Sequence, residues 1–175
     1  MNQEDHLHAM RHSCAHLLAS AIQKLYPDAQ FGVGPVVEHG FYYDVLLPEP
    51  LGDADLKKIE KQMKKFHSQN MAMEREEWTI DEAITFFKDA NQPFKVELLS
   101  SLKEKGTTSL KEEELAEVTG GDIDHVSVYK TGEFTDLCRG PHVESLKEIG
   151  AFKLMTLAGA YWRGDETRPM LQRIY

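Results

Sequence analysis

Between Arg11 and Lys24 the chain reads HSCAHLLASAIQ, twelve residues without an ionised side chain in a protein of which 28% of residues are charged. At about 100° per residue, helical spacing gathers Met10, Cys14, Leu17, Leu18, Ala21 and Leu25 on one face, an ordinary core stripe. His12 and His16, one turn apart, fall on the opposite face among Ala9, Ala15, Ala19 and Gln23. A face turned to water would carry lysines and glutamates instead of small residues and imidazoles. The pattern therefore predicts a helix covered on both sides, with a polar pocket floored by two histidines as the second cover.

A second sequence block, Asp136-Leu137-Cys138-Arg139-Gly140-Pro141-His142, repeats the four-residue spacing between Cys138 and His142. Gly140-Pro141 breaks any helix between them, so this block is a loop. Three imidazoles and a thiol meeting across one pocket can ligate zinc or handle protons near neutral pH, and the residues leave both open. No glutamate follows His12, so the zinc-protease helix pattern is absent.

The totals narrow the class. A chain of 175 residues can bury one good core. No apolar run approaches the ~18 residues of a membrane span, and the N-terminal residues are polar, which points to a cytoplasmic protein with no membrane partner. Two cysteines, one on an apolar helix face and one in a polar loop, suit a reducing compartment. A net charge of −9 argues against indiscriminate nucleic-acid binding. It leaves room for reading one end of an RNA in a pocket, with the affinity supplied elsewhere.

In chain order, Tyr26-Pro27-Asp28 ends the first helix, and residues 31–37 and 41–47 read as a hairpin through Glu38-His39-Gly40. Gly32, Gly34 and Pro35 make its first strand irregular, an edge or a bulge. Alternation puts Phe41, Tyr43 and Val45 on one face of the second strand. Asp53 is expected to cap a second helix with Leu56, Ile59, Met63 and Phe66 inward and a solvated lysine face outward. Residues 72–78 read as a strand. Thr79-Ile80-Asp81-Glu82 opens a third helix to about Asn91, Pro93 ends it, and Phe94-Lys95-Val96 is read as a short extended piece with an ordinary surface lysine. Residues 98–124 form an acidic, helical excursion without evident chemistry. Strands follow at 125–129, 152–162 and 170–175. The sum is an α+β fold, a mostly antiparallel sheet packed around the central HxxxH helix with additional outer helices.

Taken together, HSCAHLL from His12, GPVVEHGFYYDV from Gly34, FKVEL from Phe94, DLCRGPHV from Asp136 and FKLMTLAGAYWRGD from Phe152 resemble the editing domain of bacterial-type threonyl-tRNA synthetases. More distantly, the HxxxH and CxxxH pair is shared with alanyl-tRNA editing domains. The resemblance implies one domain over residues 1–175, with the excursion at about 98–124 outside its functional motifs. It implies an enzyme that hydrolyses the ester between serine and the acceptor end of threonine tRNA. Within the pocket it assigns catalysis to His12, Lys95, Asp136 and Cys138, and substrate binding to His16, Tyr43 and His142. No cofactor is required by this likeness; in the alanyl relatives the set matching His12, His16, Cys138 and His142 holds zinc. An aminoacylation core is not seen among these residues, so the expectation is an excised domain partnered by the rest of a synthetase, or a free-standing editor. Alternatives are a zinc-dependent hydrolase of the alanyl type and a non-catalytic tRNA-binding appendage. Lys95 is expected to matter to chemistry more than to folding, its loss leaving the melting temperature nearly unchanged.

Overall fold

The computed structural model describes residues 2–106, 110–115, 117 and 124–175. Its first helix, α1 (Gln3–Leu25), begins eight residues before the expected stretch because the Asn2 side chain accepts the Asp5 N–H at 2.8 Å and so caps an earlier turn. Both faces of α1 are covered, as the missing charges required. Leu17, Leu18 and Ala21 are buried on one side, and Ala9, Ala15 and Ala19 are fully buried on the other.

The expected hairpin is present in pieces. β1 (Gln30–Phe31) pairs with β4 (Tyr43–Leu46), and β2 (Val36–Val37) pairs with β3 (Gly40–Phe41). The interruption falls at Gly32, Gly34 and Pro35, where the pairing continues only through single bonds such as Asp44 N–H to Val33 C=O. β4 is then flanked by β9 (Met170–Ile174), which in turn pairs with β8 (Leu157–Tyr161), giving a sheet in the order β1-β4-β9-β8 with β1 at its edge. Tyr43 stands opposite Ile174 and Asp44 opposite Arg173. The Arg173 guanidinium grips both Asp44 oxygens (2.8 and 3.0 Å), fixing the register of the strand that carries Tyr43.

β5 (Met73–Thr79), β6 (His125–Thr131) and β7 (Phe134–Leu137) form a second meander in which β6 is central. Among the described residues every pairing is antiparallel, as expected, though distributed over three small sheets. The strand expected over 152–162 is only Leu157–Tyr161, since residues 152–156 take no regular form beyond two bonds to Tyr175.

Helix α2 (Asp53–Ser68) buries Leu56, Ile59 and Met63 and turns its lysines outward. Its N-cap is Gly52, whose N–H is taken by Asp55, so the cap expected of Asp53 is displaced by one residue. Thr79 caps α3 (Ile80–Asp89) through Glu82 N–H, as its capping-box pattern predicted. The extended reading of residues 94–96 is overturned. Pro93, read as a stop, occupies the first turn of α4 (Pro93–Lys105), where its missing N–H costs nothing. Phe94, Leu98, Leu99 and Leu102 make the buried stripe of α4, packed with α3 and β6 in a core separate from that around α1. Of the acidic excursion, the described parts are the end of α4, the short α5 (Glu112–Leu115) and the residues 110, 111, 117 and 124; residues 107–109, 116 and 118–123 lie outside the described residues.

Candidate functional site

The small-residue face of α1 presents His12 and His16 to the β7 end and the loop that follows it. Cys138 is held there by Ser127, whose hydroxyl donates to Cys138 C=O at 2.6 Å and whose backbone C=O accepts Cys138 N–H at 3.1 Å. Gly140 takes a positive φ of 81°, and a Cβ on it would lie 2.5 Å from the Tyr129 hydroxyl. This turn brings His142 back beside Cys138. Cys138 Sγ lies 3.3 Å from His12 Nε2 and 3.0 Å from His142 Nε2, and the rings of His12 and His16 each sit 4.5 Å from that of His142.

The tautomer of His142 follows from its neighbours. Ser13 gives its only hydroxyl proton to Ala9 C=O (2.7 Å) and accepts Val143 N–H (2.9 Å). His142 Nδ1, 3.0 Å from Ser13 Oγ, must therefore be the donor, leaving a lone pair on Nε2 facing the thiol. Cys138 can donate to His142 and accept from His12. Burial holds all three imidazoles neutral: it lowers His12 to about 4 and drives His16 and His142 well below the ordinary value, reinforced by mutual repulsion among the histidines. Burial likewise pushes the Cys138 thiol well above its usual range.

A charged cluster adjoins this set. Lys95, expected at the surface, is 1% exposed, because α4 points it inward beside Phe94. Its ammonium donates to Tyr43 Oη (3.0 Å) and Glu117 Oε2 (2.7 Å) and pairs with Asp136 Oδ1 (3.0 Å). Tyr43 Oη donates to Asp136 Oδ2 at 2.5 Å. His16 Nδ1 lies 3.2 Å from the same oxygen, an ion-pair distance whose angles do not make a hydrogen bond, and His16 Nε2 has no hydrogen-bond partner. Burial opposes the Lys95 charge, but Asp136 and Glu117 outweigh it and raise its pKa. Burial also keeps Tyr43 a neutral phenol, with the Asp136 and Glu117 charges acting in the same direction.

All seven expected residues are thus brought together: His12, His16, Cys138 and His142 in one set, Tyr43, Lys95 and Asp136 in the next, joined through His16 and Asp136. A cleft of about 450 Å³ bordered by His8, His12, Pro35, Val37, Tyr42 and Arg139 reaches the His12 end, a volume fit for a small ligand. A wider hollow of about 770 Å³ beside Met10, Arg11 and Cys14 holds no such set. Three residues were missed in the sequence. Ser13 and Glu117 carry no local signal of their roles. Tyr129, whose ring lies 4.3 Å from that of His142, reads as one more strand aromatic.

His12, His16, Cys138 and His142 each offer one donor atom, all within 4.8 Å of one another. Tetrahedral zinc, with bonds of ~2.0–2.3 Å to nitrogen and sulfur, sets its donors roughly 3.3–3.8 Å apart; Cys138 Sγ already lies 3.3 Å from His12 Nε2 and 3.0 Å from His142 Nε2, and small side-chain rotations bring the remaining donors in. Ser13 meanwhile orients His142 as an outer partner would. The residues present fit a zinc ion.

Comparison with known proteins agrees with this geometry. The family described as "Threonyl and Alanyl tRNA synthetase second additional domain" matches residues 126–175, which include all of β6 but its first residue, β7 and the Asp136–His142 loop. Threonine–tRNA ligase of Ruthia magnifica is 47% identical over 99% of this chain, and threonine–tRNA ligase 1 of Bacillus subtilis is 48% identical over 98%. That of Bordetella avium is 45% identical over 98%. Over nearly its whole length this chain is similar to one region of threonine–tRNA ligases. It spans about a quarter of the length of these relatives, 25%, 24% and 24% respectively. The likeness therefore covers the helix that carries the two histidines as well as the matched loop.

Proposed function

We propose that this domain, residues 1–175, hydrolyses seryl-tRNA(Thr) in the cytoplasm, acting on the acceptor end of the tRNA alongside the remainder of a synthetase. The observation that carries the reading is the buried Lys95–Asp136–Tyr43 cluster set against three neutral imidazoles, in a chain so similar to threonine–tRNA ligases. The need for such a reaction is arithmetic. Serine differs from threonine by one methyl, which discriminates by only ~1–3 kcal/mol, or roughly 10–200-fold. A second pocket that excludes the methyl supplies the rest.

In the reaction a water oxygen bonds to the ester carbonyl carbon, the bond to the ribose oxygen breaks, and the proton taken from water ends on that oxygen. Asp136 and the neutral histidines supply basic atoms, His16 Nε2 being unpartnered and His12 neutral at physiological pH. Lys95 favours the developing negative charge in a site closed to bulk water. His16, Tyr43 and His142 shape and hold the seryl end. These steps use the chain's own side chains. Were zinc bound by His12, His16, Cys138 and His142, it would supply a Lewis acid for the carbonyl and an acidified water. That four-donor set is what favours the zinc-dependent reading as second choice.

The test is a deacylation assay on serine- and threonine-charged threonine tRNA, with and without chelator. The expected result is hydrolysis of the seryl ester alone, insensitive to chelator. Activity abolished by chelator and restored by zinc selects the zinc-dependent hydrolase, and binding without hydrolysis leaves a tRNA-binding appendage.

A further inference from the structure

Glu117 stands apart from every motif that carries the family likeness, yet it is 1% exposed and touches the centre of the charged cluster. One carboxylate oxygen accepts Lys95 Nζ at 2.7 Å; the other accepts the N–H of Gly34 at 3.3 Å, in the segment leading to Tyr43. An ammonium has three protons, and Lys95 has three acceptors within 3.0 Å: Tyr43, Asp136 and Glu117. Without Glu117, one proton would be unsatisfied in a place water does not reach, and a four-carbon side chain would lose the contact that sets its direction. We propose that Glu117 is a positioning residue that locks the Lys95 ammonium onto Asp136 and Tyr43 and ties this cluster to the Gly34 backbone. The proposal rests on the hydrolytic reading above.

The segment carrying Glu117 has an anchor of its own. Three residues earlier, Glu114 is buried and pairs with Arg163 through two bonds (2.7 and 3.2 Å), and Lys111 reaches Arg163 C=O. Anchor and clamp are therefore separable by mutation. Burial raises the Glu117 carboxyl, with Lys95 acting in the opposite direction, so the pair is held at some cost in desolvation and is not there to stabilise the fold alone.

Glu117→Gln keeps the shape but has one acceptor for two donors, and so cannot serve both Gly34 and Lys95. In single-turnover hydrolysis of seryl-tRNA(Thr) it is expected to lower the rate at saturating enzyme about 10- to 100-fold, as small misplacements do. The half-saturating enzyme concentration should stay within about twofold, because Glu117 does not touch the bound ester. Glu117→Asp, with both acceptors on a shorter stem, recovers part of the rate. Arg163→Met loosens the anchor and lowers the melting temperature with the rate within about twofold, since the clamp itself survives. Nitrogen-15 NMR of the lysine ammonium groups gives a readout independent of activity. Lys95 should show a slowly exchanging signal in the wild type that is lost in Glu117→Gln. An unchanged rate and an unchanged Lys95 signal in Glu117→Gln overturn the proposal, as do equal losses of rate and melting temperature in Glu117→Gln and Arg163→Met. A wild type that fails to hydrolyse the ester overturns the functional reading instead, and the NMR signal still decides the role of Glu117.

Discussion

Replacing Lys95 by methionine removes a charge while nearly keeping the volume, and the structure makes its cost calculable. Asp136 and Glu117, each 1% exposed, are left without their shared cation. Breaking a buried pair by deleting one partner costs about 3–5 kcal/mol, a large part of the ~5–15 kcal/mol that holds a domain together. For a chain of this size that is a fall in melting temperature of roughly 6–20 °C. The expectation that Lys95 matters little to folding is thereby reversed by its burial. The sign with pH follows from Glu117, whose carboxyl is raised by burial to about 7 even beside Lys95. A raised carboxyl leaves the folded state most stable below its unfolded pKa of about 4.3 and weakens it as pH climbs through the folded value. Thermal unfolding of Lys95→Met should thus show a larger deficit at pH 8 than at pH 5.5, and the double variant Lys95→Met/Glu117→Gln should recover the pH-dependent part of it, Asp136 still lacking its cation. A fall below about 2 °C at pH 8, or no recovery in the double variant, would refute this account of the cluster.

Acid should weaken the wild type in the opposite sense. His12 is lowered by burial to about 4, so its share of stability is complete above pH 6.5 and disappears as pH falls toward 4, about 3 kcal/mol by linkage; denaturant midpoints that stay flat between pH 7 and 4.5 would contradict it. Gly34→Ala would place a Cβ 2.3 Å from the Tyr43 ring, so it is expected to destabilise by about 1–3 kcal/mol or more and to disturb the Tyr43–Asp136 bond, visible as a lower melting temperature with slower hydrolysis. Cys14, buried in the apolar stripe with its thiol pushed up to about 12, should react slowly with alkylating reagents, and Cys14→Ala should cost ~1 kcal/mol with hydrolysis intact.

What the sequence made legible was what helical or strand spacing decides locally. The two covered faces of α1 follow from which residues recur each turn; alternation grouped Tyr43 with Val45 on one face of its strand, but Asp44 between them is buried as well, so alternation alone did not single out Tyr43. Lys95 was not legible by spacing because its partners come from other elements, Glu117 lying 22 residues away in a segment that reads as solvated acid. Pro93 was misread because the same residue ends one helix and opens another, and only packing of the Phe94–Leu98–Leu102 stripe chooses between them. Ser13 escaped notice because a serine amid alanines looks like filler until His142, 129 residues on, is seen to hang from it.

The distance in sequence between the two halves of the imidazole–thiol set bears on how the chain is made. His12 leaves the ribosome 126 residues ahead of Cys138, roughly 6–25 s earlier at ~5–20 residues per second. Through that interval α1 exists with its histidine face bare. β4 waits longer still, because its neighbour β9 closes the sheet only when Ile174 emerges opposite Tyr43. A nascent chain stalled before Asp136 therefore presents an uncovered row of alanines and imidazoles, a natural surface for a chaperone, and the imidazole–thiol set closes only once Cys138 and His142 have followed.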